Sequence, residues 1–359
     1  MVSSVHLQTD ATFAPLRRPR TRLCSANITV RRQTRRGGQL RTIPLSSLSN
    51  AAPRRTVDNV ALGITLSLFA TVIFGVQDAM AKLLVQSYSP FQLAMIRFWA
   101  FAAFSLFLVA RQGRLKTAFH SKQPLTQIIR ATLLVVDIWF FASALKTVPL
   151  AELQAIVLVY PLLATIAAIP ILGEKVGVFR FAAVAVGFLG ALVIVRPGGL
   201  PLDLGVLYAM LSAASYALYI ALTRKVSATD STATSMVYVG AVGVVLTSSV
   251  GIFFWQPIDP QSFLLLAAVM ATTVAAHSIM MVALSRAPAS TLQPFNYFAL
   301  PWGILLSWTI FGHLIDPIAL VGALIIAGAG LAVMARERHL SVQRRNLAAS
   351  KAEEGTPAH

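Results

Sequence analysis

The chain has 359 residues, 56% of them hydrophobic and only 12% charged, with a mean hydropathy of +0.71, against roughly 45–50% apolar and about 25% charged in soluble domains. This composition excludes a soluble enzyme. Thirty Lys and Arg against 13 Asp and Glu give a net charge of +17, but eleven of the basic residues and only two of the acids lie within residues 1–58. The basicity therefore belongs largely to one leader and does not describe a nucleic-acid surface. Cys24 is the single cysteine, so neither an intramolecular disulfide nor a cysteine metal cluster is available.

Residues 1–58 run from MVSSVHLQTD to NAAPRRTVD and are rich in Arg, Ser, Thr and Pro, with no sustained apolar period. They read as a disordered basic extension. The stretch fits a cytoplasmic tail or a start codon set too far upstream in preference to an organellar transit peptide, and it lacks the continuous apolar core of a secretory signal.

From Val60 the chain becomes a series of apolar runs, each long enough to cross roughly 30 Å of hydrocarbon at about 1.5 Å per residue. Ten are expected: Val60–Val85, Pro90–Ala110, Leu125–Leu145, Pro149–Leu172, Gly177–Val195, Leu204–Leu222, Ala233–Phe254, Ser262–Leu284, Ala289–Phe311 and Pro317–Ala335. Connections as short as QSYS at 86–89 and KTVP at 146–149 force antiparallel hairpins. With the N-terminus inside, one set of loop ends collects Arg111, Arg114, Lys116, Lys122, Lys175, Arg224, Lys225 and Arg286, then Arg336, Arg338, Arg344 and Arg345 of the tail. The other set collects only Lys146 and Arg196. Because Lys and Arg near span ends stay cytoplasmic, both termini are expected inside.

The segment VPLAELQAIVLVYPLLATIAAIPILGEK from Val148 overlays APASTLQPFNYFALPWGILLSWTIFGHL from Ala287. Pro149 meets Pro288, Leu153 and Gln154 meet Leu292 and Gln293, and Gly173 meets Gly312 at a constant offset. A slip of one residue then aligns Pro161 with Pro301, Gly190 with Gly330 and Arg196 with Arg336. Residues 59–196 and 197–335 thus read as two five-helix repeats, followed by a tail at 336–359. An odd number of spans per half makes the repeats inverted, as in many secondary transporters. The fold class expected is an all-α integral membrane protein of ten spans.

Polar residues at membrane depth are few, and a charged group there faces a partner or a wet cavity. Asp78 and Lys82 lie at i and i+4 on one face of the first span, and Arg97 in the second lies at the same depth as Asp78, roughly 10 Å below the surface. Asp78, Lys82 and Arg97 form a structural or gating charge group, with a helix-pairing clamp and a substrate role equally open for Asp78 and Arg97. Arg130 either snorkels to the inner interface or faces the interior. Asp137 and Glu152 have no partner evident in the sequence and are assigned to substrate or proton handling. The second half offers Tyr216, Tyr219, His277, Gln293, Asn296 and Tyr297; His277 either couples protons or makes a helix-to-helix hydrogen bond. Trp139, Phe140, Tyr160, Phe295 and Trp302 either stack on a planar ligand or pack. Pro161, Pro294 and Pro301 fall inside spans and permit kinks. Small residues in GFLGALVIV and GALIIAGAGLAV allow close helix contact, within the bundle or in a homodimer. A phosphate-binding GxxxxGK[ST] loop, HExxH and GxSxG are all missing, and no catalytic residue, metal site or cofactor is assigned.

These spans, the TVPLAELQAIVLVYPLLATIAAIPILGEK segment and its weaker copy resemble the drug/metabolite transporter superfamily, EamA type, over Val60 to Ala335. The resemblance implies a secondary transporter of the bacterial inner membrane that alternates access around a cavity between the halves. It places Asp137, Glu152, Gln154, Tyr160, Tyr216, His277, Gln293 and Asn296 nearest the substrate path. DAMAKLL followed by SPFQLAMIRF is similar to the branch of riboflavin and S-adenosylmethionine uptake transporters. The expected cargo is a riboflavin-like heteroaromatic metabolite, with Trp139, Tyr160 and Tyr297 stacking on it. Export of amino acids or other small metabolites is the alternative within the fold. A non-catalytic scaffold is the alternative outside it, favoured if Asp137 and Glu152 face lipid or dry helix contacts.

Overall fold

The computed structural model describes residues 60–113, 115–173, 177–195, 204–287 and 289–354. The basic leader, Arg114, Lys175, Arg196 and Pro288 lie outside the described residues, and so do the side chains of Lys116, Gln293, Arg344 and Arg345.

Every element among the described residues is helical. In chain order they are α1 (Val60–Ser87), α2 (Pro90–Arg111), the short α3 (Leu115–Ala118), α4 (Pro124–Ala144), α5 (Leu150–Val157) and α6 (Tyr160–Leu172). There follow α7 (Val178–Val195), α8 (Leu204–Ser227), α9 (Thr232–Gly251), α10 (Pro260–Arg286), α11 (Ala289–Leu292), α12 (Ala299–Phe311) and α13 (Pro317–Glu354). Starts follow from local chemistry. Ser89 and Ser231 cap α2 and α9 by accepting from Phe91 N and Thr234 N, Asp259 caps α10, and Pro90, Pro124 and Pro260 sit in first turns, where their missing N–H is harmless. Gly173 and Gly312 end α6 and α12 in the left-handed region at φ 68° and 65°, the conformation that makes glycine favourable there. They occupy corresponding places in the two repeats.

Nine helical stretches among the described residues are long and apolar enough to cross a membrane, with α5 and α6 counted together as Leu150–Leu172. The ninth expected span, Ala289–Phe311, is not one helix: α11 passes into a 3-10 segment, Gln293–Phe298, before α12. Its counterpart in the first half breaks at Leu158 and Val159. Pro161 therefore lies in the first turn after its break and Pro294 at the start of the 3-10 segment, where a missing N–H and a bulky ring end a regular ladder. Of the three prolines expected within helices, Pro161 and Pro301 fall in the first turns of α6 and α12, and Pro294 falls in the 3-10 segment.

The halves interlock. α1 packs along α10 as α4 packs along α8, while α2 pairs with α9 and α7 with α13; this exchange of partners is what a two-fold relation between repeats produces. The main core is aliphatic, from Leu84, Leu153, Ile156, Leu162, Ile194 and Ile326. Outward side chains are equally apolar: Phe181, Leu189, Leu192, Val321 and Leu324 are exposed, the pattern of a surface solvated by lipid. The small-residue stripes are used inside this chain. A Cβ at Gly190 would stand 2.8 Å from Gly322 O, and one at Gly322 2.5 Å from Gly190 O, so α7 and α13 touch backbone to backbone.

Candidate functional site

Helical phase gathers polar residues from six helices, with help from α5, around a cavity of about 580 Å3, inside the roughly 300–1,000 Å3 span of small-molecule sites. On α1, Phe74, Gln77 and Asp78 share one face at i, i+3 and i+4. On α4, Arg130, Leu134, Asp137, Ile138 and Phe141 repeat the same spacing.

At mid-depth three charged groups meet: Asp78, Arg97 on α2 and Asp137. Gln154 Nε2 donates to Asp78 Oδ2 at 2.8 Å, and Ser212 Oγ donates to Asp137 Oδ1 at 2.6 Å. Arg97 interacts electrostatically with both carboxylates but makes no hydrogen bond or ion pair to any described residue. Of the two roles open for Asp78 and Arg97, the hydrogen-bonded clamp is not formed, and Lys82 does not pair with Asp78 either. The reason is geometric: Lys82 points to the end of the bundle, where its Nζ donates to Leu145 O and Val148 O at 2.8 Å each.

His277 on α10 lines the same space, held between Phe74 and Phe101 with ring centroids 5.1 and 5.6 Å away. Its Nδ1 lies 2.8 Å from Thr273 O, which can only accept, so Nδ1 carries the proton and Nε2 remains an acceptor when the ring is neutral. Thr273 Oγ1 in turn donates to Gln77 Oε1 at 2.8 Å. Tyr216 contributes a ring wall, edge-on to Tyr160 at 4.8 Å and stacked with Tyr219 at 5.7 Å.

Arg130 completes the wall toward the end that bears Arg111, Arg224 and Arg286. It is 2% exposed, donates to Gln127 Oε1, Thr223 Oγ1 and Ser235 O at 3.1, 3.3 and 2.8 Å, and lies over Tyr219 at 5.4 Å. It faces the interior and does not snorkel. The wall reaches Thr232 at the start of α9 and Leu284 in the last turn of α10. At the opposite end it stops about two turns short of the ends of α1 and α2, at Asp78 and Arg97.

That opposite end is shut by three sets of contacts. Tyr88 Oη donates to Asp259 Oδ2 at 2.5 Å, Gln92 and Gln256 exchange hydrogen bonds of 2.7 and 3.1 Å, and Lys82 ties α1 to the α4–α5 turn. Glu152 belongs to this closure and not to the cavity wall: buried in the first turn of α5, it pairs through Oε1 with His313 Nε2 at 2.8 Å, while Oε2 has no partner.

Of the residues singled out in the sequence, the cavity brings together Asp78, Arg97, Arg130, Asp137, Gln154, Tyr216, Tyr219 and His277. Tyr160 and Asn296 stand behind Tyr216, joined by an Nδ2 to Oη bond of 3.3 Å that links the two helix breaks. Trp139 projects to another side of α4 than Asp137, edge-on to Phe91, and its Nε1 has no partner. Tyr297 is buried against Gly330, with its Oη unpartnered. Neither is placed to stack on a ligand in this cavity. Gln77, Thr273, Ser212 and His313 were not foreseen. An amide beside Asp78 at membrane depth was a usable signal; Ser212 and His313 gain meaning only from partners far along the chain.

Lipid-facing helices around a charged, mid-depth cavity define a multi-pass membrane transporter. The family model described as the EamA-like transporter family matches residues 61–196 and again 203–335, and the chain belongs to that family. It is 26% identical over 280 residues to the S-adenosylmethionine uptake transporter of Rickettsia prowazekii, covering 77% of this chain and 93% of the relative. It is 31% identical over 224 residues to the riboflavin transporter of Vibrio cholerae, covering 62% of this chain and 75% of the relative. The riboflavin transporter of Rhizobium johnstonii is 26% identical over 281 residues. A crystallographic chain of 19% identity shares the fold with a TM-score of 0.56 over 77% of this chain and 98% of its own.

Proposed function

We propose that this chain takes up a small heteroaromatic metabolite, riboflavin-like in size and polarity, across the bacterial cytoplasmic membrane without altering it chemically. Both termini lie in the cytoplasm, so the cavity reaches toward the cytoplasmic side and the Lys82, Glu152 and Tyr88 closures stand on the outer side. Asp78, Arg97, Asp137, Gln154 and His277 recognise the cargo, with Tyr216 and the phenylalanines against its faces. Uptake proceeds by alternate opening of the two ends, the broken spans at Leu158–Val159 and Gln293–Phe298 supplying the bends.

The observation that carries this reading is the mid-depth charged group, Asp78, Arg97 and Asp137, in one cavity walled by aromatic rings. A scaffold has no use for such a group, because each charge at that depth costs roughly 2.5–3.5 kcal/mol on insertion scales. The names of the relatives support uptake and a heteroaromatic cargo. The test is uptake of labelled riboflavin by cells unable to make it, with expressed protein confirmed in the membrane and unlabelled S-adenosylmethionine as competitor. Saturable uptake above the empty-vector control is expected. Its absence, with efflux of small metabolites detected instead, would reverse the direction assigned.

A further inference from the structure

The hydrogen-bonding groups left over in the cavity describe what fills it. Arg97 carries five N–H donors, none of them bonded to a described residue. A half-buried guanidinium on the cavity wall that donates to no described side chain offers these donors to whatever enters the cavity. Beside it stand two carboxylates, each with one oxygen engaged, Asp78 by Gln154 and Asp137 by Ser212. Phe74 and Phe98 supply apolar faces next to these groups.

Charge narrows the choice of ligand. An anion satisfies Arg97 but is set against Asp78 and Asp137; a cation satisfies the carboxylates but is set against Arg97. An apolar aliphatic molecule leaves all three unpaired, and an aliphatic zwitterion pairs with them but leaves the aromatic wall of Phe74, Phe98 and Tyr216 uncovered. A neutral ring edge that carries an acceptor next to an N–H satisfies donor and acceptor together, adds no charge and covers the aromatic wall with its faces.

We infer that Arg97 is the specificity-determining residue for the neutral acceptor–donor edge of a planar nitrogen heterocycle: it donates to the acceptor and so holds the edge with its N–H against the free carboxylate oxygen of Asp78 or Asp137. Two edges have this chemistry: the lactam or imide C=O and N–H of a flavin-type ring, and the amidine nitrogen and amino group of an adenine-type ring. The inference rests on the reading of this cavity as the transport site.

The test is equilibrium binding to the full-length chain in lipid nanodiscs. Riboflavin is compared with N3-methylriboflavin, and adenosine with N6,N6-dimethyladenosine, for the native protein and for Arg97→Gln and Arg97→Lys. In the native protein one parent compound binds and its methylated analogue binds at least about tenfold more weakly; the pair that discriminates identifies the edge. Arg97→Gln weakens the parent about ten- to a hundredfold and shrinks the parent-to-methyl ratio, and Arg97→Lys, which keeps the charge but loses the planar fork, falls between. Weaker binding with an undiminished ratio makes Arg97 only a structural charge and overturns the inference, as does unchanged affinity. If methylation has no effect on a protein that takes up riboflavin in cells, the inference fails while the transport reading stands. If neither compound binds and neither is taken up, the reading as uptake of a heteroaromatic metabolite falls and the inference with it.

Discussion

Lys82→Met removes the ammonium that ties α1 to the turn between α4 and α5. In the structure Nζ makes two bonds of 2.8 Å to carbonyls at the C-terminal end of α4, Leu145 O and Val148 O, and lies 5.8 Å from the centre of the Phe311 ring. Hydrogen bonds to a charged group contribute about 1.5–3 kcal/mol each. Lys82 is only partly buried, so the lower figure applies, about 3 kcal/mol for the pair. Methionine keeps the length and apolar stem, so packing against Phe311 changes little. A closure favoured about 100-fold, which corresponds to roughly 2.7 kcal/mol, falls to near parity when about 3 kcal/mol is removed. The assay starts from a Cys24→Ser background and places a cysteine at Val157, a residue of the cavity wall. A membrane-impermeant maleimide is added from the side opposite the Arg-rich loops. The expected result is labelling at least about tenfold faster in Lys82→Met than in its Lys82 parent, with Lys82→Arg near the parent rate. Equal rates in all three would show that Lys82 does not hold this end shut.

Gly322→Leu forces a side chain into Gly190 O, 2.5 Å from the position of its Cβ, and should lower stability by about 1–3 kcal/mol, read as a drop in melting temperature in detergent, whereas Gly328→Ala, which meets nothing within 4 Å, should not. Trp139→Phe removes an Nε1–H that is buried with no acceptor and should leave stability unchanged or slightly higher and riboflavin uptake intact; lost uptake would return Trp139 to the binding site. Asp230 joins the loop before α9 to the start of α4, accepting from Gln127 Nε2 and Lys122 N at 2.9 Å and from Ser121 Oγ. Partial burial pushes its carboxyl up, but the bonds from Gln127, Ser121 and Lys122 outweigh this and hold it below the usual range. A depressed carboxyl stabilises the fold above its unfolded value of about 4 and loses that contribution as pH falls through the folded value. The melting temperature of Asp230→Asn should therefore lie below the native one from pH 5 to 7 by a constant amount, the gap closing only under about pH 4; a gap that widens in acid contradicts the assignment.

Asp230 and Asp259 show how sequence and tertiary structure divide the explanation. Each lies in a short turn beside a helix start, Asp259 capping α10 through bonds to Gln261 N and Ser262 N at 3.0 and 2.9 Å, and such caps are local and legible in the sequence. Their other partners are not. Tyr88 reaches Asp259 across 171 positions and Gln127 reaches Asp230 across 103, joining the two halves at opposite ends of the bundle.

The sequence by itself determined the membrane class, the placement of the apolar spans, the two-repeat organisation and the family. These depend on sums over some twenty residues or on motifs within one hairpin, because the bilayer tests each segment's hydrophobicity separately. It also marked Asp78, Arg97, Asp137, Gln154, Tyr216 and His277 as residues too polar for lipid. Only the tertiary structure decided which of them share a cavity. Helix rotation sends Asp137 inward and Trp139 to another side of α4, and the first turn of α5 commits Glu152 to His313, 161 positions away. The interruption of the Ala289–Phe311 span was likewise decided by packing: a proline permits a break, but whether the chain kinks or continues depends on what neighbouring helices offer the freed backbone groups. That Arg97 stands unpaired between two carboxylates is a fact about three helices at once, and no single segment carries it.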